Sequence, residues 1–128
     1  MGQRILIMIK IKDLIVESEI TPEIVNQIVQ QVGLEQDIVD PSWDTFTPQI
    51  CNTGFCDIFA ERLKRAFPGS TAWATDYNGL DTFGHVWIEY KGKYYDAETP
   101  NGVSDWKELS WIQKAFKMAR QYPEIYKL

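Results

Sequence analysis

Three residues spread along the chain have side chains that together could carry out acyl transfer through a thiol. Cys56 comes first, His85 is the only histidine in the chain, and Asp96 follows it. In such a reaction a thiolate attacks the acyl carbon, an imidazole moves the proton, and a carboxylate orients the imidazole. These residue types, in this order, therefore predict a catalytic triad of Cys56, His85 and Asp96.

The composition limits the kind of protein that can carry such a triad. The chain has 128 residues, 45% of them hydrophobic, which suits a single domain over residues 1–128 with a buried core. The net charge of −5 argues against nucleic acid or an anionic membrane as the main partner, because both bind basic surfaces. The oligomeric state is not indicated.

The cysteine and histidine content excludes several cofactors and frameworks. Two cysteines, Cys51 and Cys56, are too few for a disulfide scaffold, and a single histidine cannot complete a common zinc site. No calcium-binding loop is visible, so we expect no metal and no cofactor. A Cys51–Cys56 disulfide remains an alternative, although a reducing compartment disfavours it. The N-terminal apolar run ends at Lys10, too early for a signal peptide, and indicates a cytoplasmic protein.

The elements before Cys56 are partly predictable. Thr21 and Pro22 have the residue types of a helix cap and a first helical position, and Gly33 is expected to end that helix, giving a helical element over 21–33. Residues 34–54 show little periodicity and are expected to form an irregular approach to Cys56, held to the core by Trp43 and Phe46. The apolar stripe of the helix consists of Ile24, Val25, Ile28, Val29 and Val32.

The elements that must position the triad follow one another between residues 50 and 110. The apolar spacing predicts a helix over about 55–67, strands over 71–75, 85–90 and 93–97, and a helix after Ser104. This order indicates an α+β fold in which the helix that begins near Cys56 packs on a small antiparallel sheet. The helix over about 55–67 is expected to bury Ile58, Phe59, Leu63 and Phe67. The helix after Ser104 is expected to bury Trp111, Ile112, Ala115, Phe116 and Ala119.

The predicted helix start gives Cys56 a favourable environment for a nucleophile. The partial positive charge of a helix N-terminus favours a thiolate, and the unpaired amide groups there can stabilise an oxyanion. Gly54 would let the backbone approach a substrate closely. The alternative is a buried, unreactive cysteine, which is common in protein cores.

The hairpin between the last two strands decides whether His85 and Asp96 meet. A two-residue turn at 91–92 pairs Trp87 with Asp96 and His85 with Glu98, so all four side chains share one face of the sheet. A turn shifted by one residue keeps Asp96 on that face, whereas a three-residue turn sends it to the opposite face. Asp96 is therefore the expected partner of His85, with Glu98 as the second choice.

Three segments resemble enzymes of the transglutaminase-like and papain-like superfamily. Residues 54–60, Gly-Phe-Cys-Asp-Ile-Phe-Ala, resemble the segment around the nucleophilic cysteine. Residues 85–89, His-Val-Trp-Ile-Glu, resemble the histidine strand of transglutaminase-like domains, and residues 94–98, Tyr-Tyr-Asp-Ala-Glu, resemble the strand that follows it. The resemblance implies a papain-like or transglutaminase-like core in a small member, with Cys56 as nucleophile, His85 as base and Asp96 as orienting acid.

The chain departs from the family pattern at several positions. Asp57 replaces the usual tryptophan after the nucleophile, and Ala97 replaces the usual proline after the aspartate. An acid at 57 opposes ionisation of the neighbouring thiol and favours basic substrates. Ile50 stands where papain-like enzymes carry the glutamine of the oxyanion hole, so Gln49 or Asn52 is expected to supply that donor instead.

The resemblance implies a cysteine-dependent hydrolase or acyltransferase that acts on an amide of a protein or peptide substrate. Peptide cleavage, deamidation and transamidation all remain open, because a shared fold does not choose among them. Two other hypotheses remain: an inactive relative that binds a peptide or protein, and an unrelated α+β interaction protein.

Overall fold

The structure is a computed structural model, and it describes residues 19–35, 46–76 and 83–128. In these ranges the chain has an α+β fold with four α-helices and a four-stranded antiparallel sheet. The expectations for Trp43 and for the part of the irregular segment over 36–45 lie outside the described residues. The elements are α1 (Pro22–Glu35), α2 (Pro48–Gly54), α3 (Cys56–Ala66), β1 (Thr71–Asp76), β2 (Phe83–Tyr90), β3 (Lys93–Tyr95), a 3-10 helix (Trp106–Glu108), α4 (Ser110–Ala119) and β4 (Tyr126–Lys127).

The sheet has the strand order β3-β2-β1-β4, so β2 lies inside it with a partner on each side. Tyr90 pairs with Lys93, which confirms the predicted two-residue turn between β2 and β3. Lys91 and Gly92 have φ angles of 50° and 81°, as the common tight hairpin turn requires at both central positions. The register places Asp96, just after β3, on the same face of the sheet as His85.

The two faces of the sheet carry different clusters of side chains. Val86 and Ile88 of β2 belong to the main core, together with the buried side chains of α1 and α3. Trp87 belongs to a second cluster with Leu109 and Ile112 from the C-terminal region. Because successive side chains of a strand point to opposite faces, the two clusters lie on opposite sides of the sheet.

The N-terminal helix α1 differs from its prediction at its C-terminal end. Thr21 Oγ1 accepts a hydrogen bond from the Ile24 amide at 3.3 Å, as expected for the cap, but α1 continues through Gly33 to Glu35. Gly33 is buried, and a Cβ built there would lie 2.6 Å from Cγ of Phe46. The glycine therefore admits the buried Phe46 ring instead of ending the helix.

The sequence predicts an irregular segment before Cys56, and this prediction is wrong for its last part. Its last part forms the helix α2, which begins where Thr47 Oγ1 accepts a hydrogen bond from the Ile50 amide at 3.1 Å. Pro48 occupies the start of this helix, so the Thr-Pro pair that marks the start of α1 marks a second helix here. Only Phe55 separates α2 from α3, and this short joint fixes the position of Cys56.

The two remaining helices follow their predictions in part. The helix expected near 55–67 is confirmed as α3, and Phe59, Leu63 and Phe67 are buried, whereas Ile58 is only half-buried. The C-terminal helix begins only at Ser110, after the 3-10 helix. Of its five predicted core residues, Ile112 is buried, Trp111, Ala115 and Phe116 are half-buried, and Ala119 is exposed.

One side of α4 is largely exposed. This side borders an open groove next to the end of β1, and Trp111, Ala115 and Ala119 line the groove. The short strand β4, which the sequence did not predict, pairs with β1 at the edge of the sheet. No helix among the described residues is long and apolar enough to cross a membrane.

Candidate functional site

Cys56 is the first residue of α3, as the predicted nucleophile should be. Phe55 precedes it with φ −131° and ψ 21°, and no side chain caps this end of the helix. The first amides of a helix have no acceptor within the helix, so a partial positive charge and free donors lie at Cys56. Cys56 keeps 7% of its surface exposed while Cys51 keeps 0%, so only the first can be reached from solvent in this state.

His85 lies on β2 and is completely buried against Asp96. Its Nε2 lies 2.8 Å from Oδ2 of Asp96, and neither side chain has exposed surface. A carboxylate accepts hydrogen bonds, so this contact assigns a proton to Nε2 and leaves Nδ1 as the atom available for proton transfer. Among the described residues Nδ1 has no hydrogen-bond partner.

The Cys56 thiol is near enough to the imidazole to influence its protonation. Burial alone would lower the pKa of His85, but hydrogen bonds and charge from Asp96 and Cys56 outweigh it and raise the pKa to about 9. By geometric criteria no hydrogen bond joins Nδ1 to the thiol or to any other described group. Catalytic hydrogen bonds are often loose in unliganded enzymes, so this geometry is compatible with transfer between sulfur and Nδ1.

Asp96 is held as a carboxylate by several donors. Besides the imidazole, Asn52 Nδ2 donates to its Oδ2 at 3.2 Å, and the Glu98 amide donates to its Oδ1 at 3.0 Å. Burial alone would raise the pKa of Asp96, but the hydrogen bonds from His85, Thr99 and Asn52 and the charge of His85 hold it below its usual value. An ionised Asp96 can therefore orient the imidazole and stabilise its positive form.

The residues expected to support the triad occupy different roles from those predicted. The Asn52 amide nitrogen also donates to Oε1 of Glu98 at 2.9 Å, so its donor group is taken up by two carboxylates. Asn52 thus supports Asp96 and is not free to serve as the expected oxyanion donor. Glu98 contacts Asn52, and the described partner of His85 is Asp96. Gln49 is exposed on α2, where its backbone carbonyl accepts the Thr53 hydroxyl at 2.7 Å.

Two tryptophans enclose the imidazole on the second face of the sheet. The His85 ring stacks on Trp111 with centroids 5.2 Å apart and an interplanar angle of 13°. Trp87, which was predicted to share the face of His85, stacks on it at 5.8 Å and 27°. Stacked rings limit the rotamers available to the imidazole and exclude water from its faces.

Trp111 was predicted as a core residue and was missed as a neighbour of the histidine. The local clue is Gly84, because a glycine inside a strand often marks a close approach. A Cβ built at Gly84 would lie 2.9 Å from Cη2 of Trp111, so the missing side chain makes room for the indole. The sequence indicates that something approaches Gly84 but does not identify the partner.

Cys51 differs from Cys56 in its electrostatic surroundings. Burial, together with the nearby Cys56 and Asp96, raises the pKa of the Cys51 thiol to about 12. Cys51 is therefore protonated at neutral pH, and both cysteines are free thiols. Of the two, only Cys56 combines a helix N-terminus with a neighbouring imidazole.

The described residues include no group of three histidine, cysteine, aspartate or glutamate side chains that could hold a metal ion. Comparison of the chain with protein-family models, curated proteins and solved structures gave no match.

Proposed function

We propose that the protein is a cysteine-dependent hydrolase or acyltransferase that acts on an amide bond through Cys56, His85 and Asp96. The observation that carries this proposal is the buried bond between His85 Nε2 and Asp96 Oδ2, which leaves Nδ1 without a partner. The Cys56 thiol, at a helix start, is near enough to raise the pKa of this imidazole. A papain-like or transglutaminase-like core is part of the proposal. The order of elements supports it: a helix that begins with the cysteine, then two antiparallel strands, with the histidine on the first and the aspartate directly after the second.

The reacting form is the pair of a Cys56 thiolate and a His85 imidazolium, whose Nδ1 carries a proton. The thiolate attacks the amide carbon, and the negative oxygen of the tetrahedral intermediate accepts hydrogen bonds from the first amides of α3. The imidazolium then donates its Nδ1 proton to the leaving amine as the carbon–nitrogen bond breaks. Water or a second amine attacks the resulting thioester, gives a proton to Nδ1 and releases the acyl group from sulfur.

The charges around the imidazole favour this sequence. Burial opposes a charged imidazole, yet Asp96 and Cys56 together raise the pKa of His85 to about 9. At neutral pH an imidazolium beside the thiol stabilises the thiolate, which is the reactive form of cysteine. The ionised Asp96 stays beside the imidazolium in each step, because its own pKa lies below the usual value.

The experiment that tests the proposal compares the alkylation of the two thiols by iodoacetamide across a range of pH. We expect Cys56 to react at least about tenfold faster than Cys51 at neutral pH, because a nearby cation and a helix N-terminus favour its thiolate. Replacement His85→Ala should lower the rate of Cys56 alkylation, whereas Cys51→Ala is a matched control that should leave that rate unchanged. Peptide mapping by mass spectrometry assigns the label, and circular dichroism checks the fold of each variant.

An unchanged rate of Cys56 alkylation in His85→Ala would contradict the activated nucleophile. An inactive binding module with the same fold predicts that result. Turnover is tested separately with fluorogenic peptide amides and with a primary amine as acyl acceptor. Release of the amine reports hydrolysis, and incorporation of the added amine reports transamidation.

A further inference from the structure

The imidazole of His85 is one member of a stack of nearly parallel aromatic rings. Trp111 of α4 stacks on it with ring centroids 5.2 Å apart and an interplanar angle of 13°. Trp87 of the same strand stacks on it at 5.8 Å and 27°, and Trp106 of the 3-10 helix stacks in turn on Trp87 at 6.0 Å and 16°. Three separate elements therefore supply indole rings to a stack in which His85 is the member that can carry a charge.

The two tryptophans that contact His85 lie on different sides of it along β2. Trp87 follows His85 by two residues, so both side chains extend from the same face of the strand. Trp111 approaches from the other direction, because a Cβ built at Gly84, the residue before His85, would lie 2.9 Å from Cη2 of Trp111. The imidazole is thus held between two indole rings, and it is completely buried there.

This arrangement has an electrostatic consequence for the charged form of the imidazole. The face of an indole carries negative potential, and a cation within about 6 Å of the ring centroid is attracted to it, most strongly where water is excluded. Both indole centroids lie within this distance of the buried His85 ring. A neutral imidazole gains less from the same contacts, so the two tryptophans favour the imidazolium.

The other neighbours of His85 leave its ring faces to the indoles. The titratable groups that face the ring are Asp96, after β3, and Cys56, at the start of α3. From β1 comes Thr75, which pairs with His85 and carries no charge, and α4 contributes Trp111. Burial acts against the charged imidazole, and Asp96 meets only the edge of the ring at Nε2. Stabilisation of positive charge at the faces of the ring therefore depends on the indoles.

We propose that Trp87 and Trp111 are positioning residues that hold His85 between their faces and stabilise its positively charged form, which makes the C-terminal helix α4 part of the reactive site. This inference rests on the proposed function, because the charged imidazole is the form that accompanies a Cys56 thiolate. It assigns to Trp111 an electrostatic role in addition to packing. Loss of this indole should therefore change the protonation of a residue that lies on another element.

The test measures the protonation of His85 directly. Because His85 is the only histidine in the chain, NMR of protein with isotopically labelled histidine reports a single imidazole as the pH is changed. Trp111→Leu removes the indole face and keeps an apolar side chain. We expect the proton affinity of His85 to fall by about threefold to tenfold, as for the loss of one cation–aromatic contact. Trp111→Phe keeps an aromatic face and should recover part of the loss.

The direction of the change separates stabilisation of charge from exclusion of water. Burial acts to lower the pKa of His85, so if Trp111 only excluded water, its removal would raise the pKa. Trp73→Leu is the matched control, because Trp73 packs against the same cluster as Trp87 but donates its indole hydrogen to Glu89 and does not stack on His85. This control should leave the pKa of His85 unchanged.

A second measurement keeps the shape of the site, and it decides the question if Trp111→Leu does not fold. Tryptophan with one or more ring fluorines replaces the five tryptophans of the chain, and the fluorines withdraw negative potential from the indole faces. We expect the pKa of His85 to fall further with each added fluorine. The same replacement in Trp111→Phe should produce a smaller response, because one of the two indole faces is gone.

The outcomes distinguish this inference from the proposed function. An equal or higher pKa of His85 in folded Trp111→Leu, or a pKa that does not respond to fluorination, overturns the inference and leaves the proposed function in place. A lower pKa together with slower alkylation of Cys56 by iodoacetamide at neutral pH supports both, and the rate should fall by at most the factor lost in proton affinity. A lower pKa together with a Cys56 rate that does not depend on His85 supports the stabilisation of the imidazolium by the indoles and contradicts the proposed function.

Discussion

His85 Nε2 and Asp96 Oδ2 lie 2.8 Å apart with both side chains fully buried. A buried ionic pair of this kind is held by the attraction of its partners and by further hydrogen bonds, and loss of one partner leaves the other without compensation. Asp96 has those further bonds, from Asn52 and from the Glu98 amide. The pair therefore couples the protonation of the imidazole to the stability of the fold.

Asp96→Asn should lower the reactivity of Cys56 at neutral pH. Removal of the carboxylate charge lets burial lower the pKa of His85, so the imidazolium that stabilises the thiolate is lost. We expect alkylation of Cys56 by iodoacetamide to slow by about 10–100-fold at neutral pH, because the loss of a nearby opposite charge disfavours an ionised group by about 1–3 pKa units. The pH–rate profile is the measurement, and an unchanged profile in a folded variant would show that Asp96 does not act through His85.

The free energy of unfolding should fall as the pH rises through the neutral range. The pKa of His85 is raised from 6.5 to about 9 in the folded protein, so the folded state binds the extra proton more tightly than the unfolded chain. This stabilisation is fully present below 6.5 and is lost as the pH rises through about 9. Urea unfolding at about pH 6 and about pH 8.5 measures this loss of stability. Both pH values lie below 9.0, the ordinary pKa of a cysteine thiol.

His85→Gln serves as the comparison for this pH dependence. The variant cannot gain a proton in that range, so its stability should vary much less between the two pH values. An equally steep fall in His85→Gln would assign the dependence to other groups.

Asn52→Ala should weaken the site although it leaves all three triad residues in place. The Asn52 amide nitrogen bridges Asp96 and Glu98, and its removal leaves two carboxylates without their shared donor. We expect a loss of about 1–3 kcal/mol in the free energy of unfolding, typical of a buried polar group that loses its partner. Thr53→Ala on the same helix is an exposed control.

The kinetic result for Asn52 separates two roles. A residue that positions Asp96 changes the pH profile of Cys56 alkylation, because it acts through the charge of the imidazole. An oxyanion donor leaves that profile alone and lowers only the turnover of amides. We expect the first result, and a changed turnover with an unchanged profile would restore the oxyanion role.

The local parts of the fold were predictable from local sequence. The two-residue turn at Lys91 and Gly92 was predicted, because these residue types suit a tight hairpin, and the turn sets the face on which Asp96 lies. The helix that begins at Cys56 was also predictable from apolar spacing. Both depend on residues close together in the chain.

The parts that failed depend on contacts between distant residues. Gly33 has the residue type of a helix end, but it makes space for Phe46, and a glycine looks the same in either role. The stacking of Trp111 on His85 joins α4 to β2, and no periodicity of either element announces it. By contrast the helix α2 was missed although Thr47 and Pro48 gave the same local pattern as α1.

Gly84→Ala should displace Trp111 from His85. A Cβ at this position would lie 2.9 Å from the indole and 3.1 Å from the backbone of Asp76, so one of them must move. We expect a loss of about 1–3 kcal/mol in the free energy of unfolding, as for other overpacked sites. Gly54→Ala is the matched control, because a Cβ there meets nothing within 4 Å, and it should be nearly neutral.

Asp57→Asn tests the effect of the acidic residue that directly follows Cys56. Asp57 is exposed in the first turn of α3, directly after the Cys56 thiol, where its charge opposes the thiolate and attracts cations. We expect the variant to alkylate about twofold to fivefold faster at low salt and to discriminate less between basic and acidic peptide probes. Exposed charges are screened over about 3 Å at about 1 M salt, so the gain should shrink strongly there.

Glu61→Gln, one turn further along the helix and paired with Arg65 at 2.8 Å, is the control for a general loss of negative charge. Equal gains in the two variants would show that the net charge of the protein, and not the position of Asp57, controls the alkylation rate. No gain in either variant would limit Asp57 to stabilising the start of the helix, where an acid contributes about 0.3–1 kcal/mol.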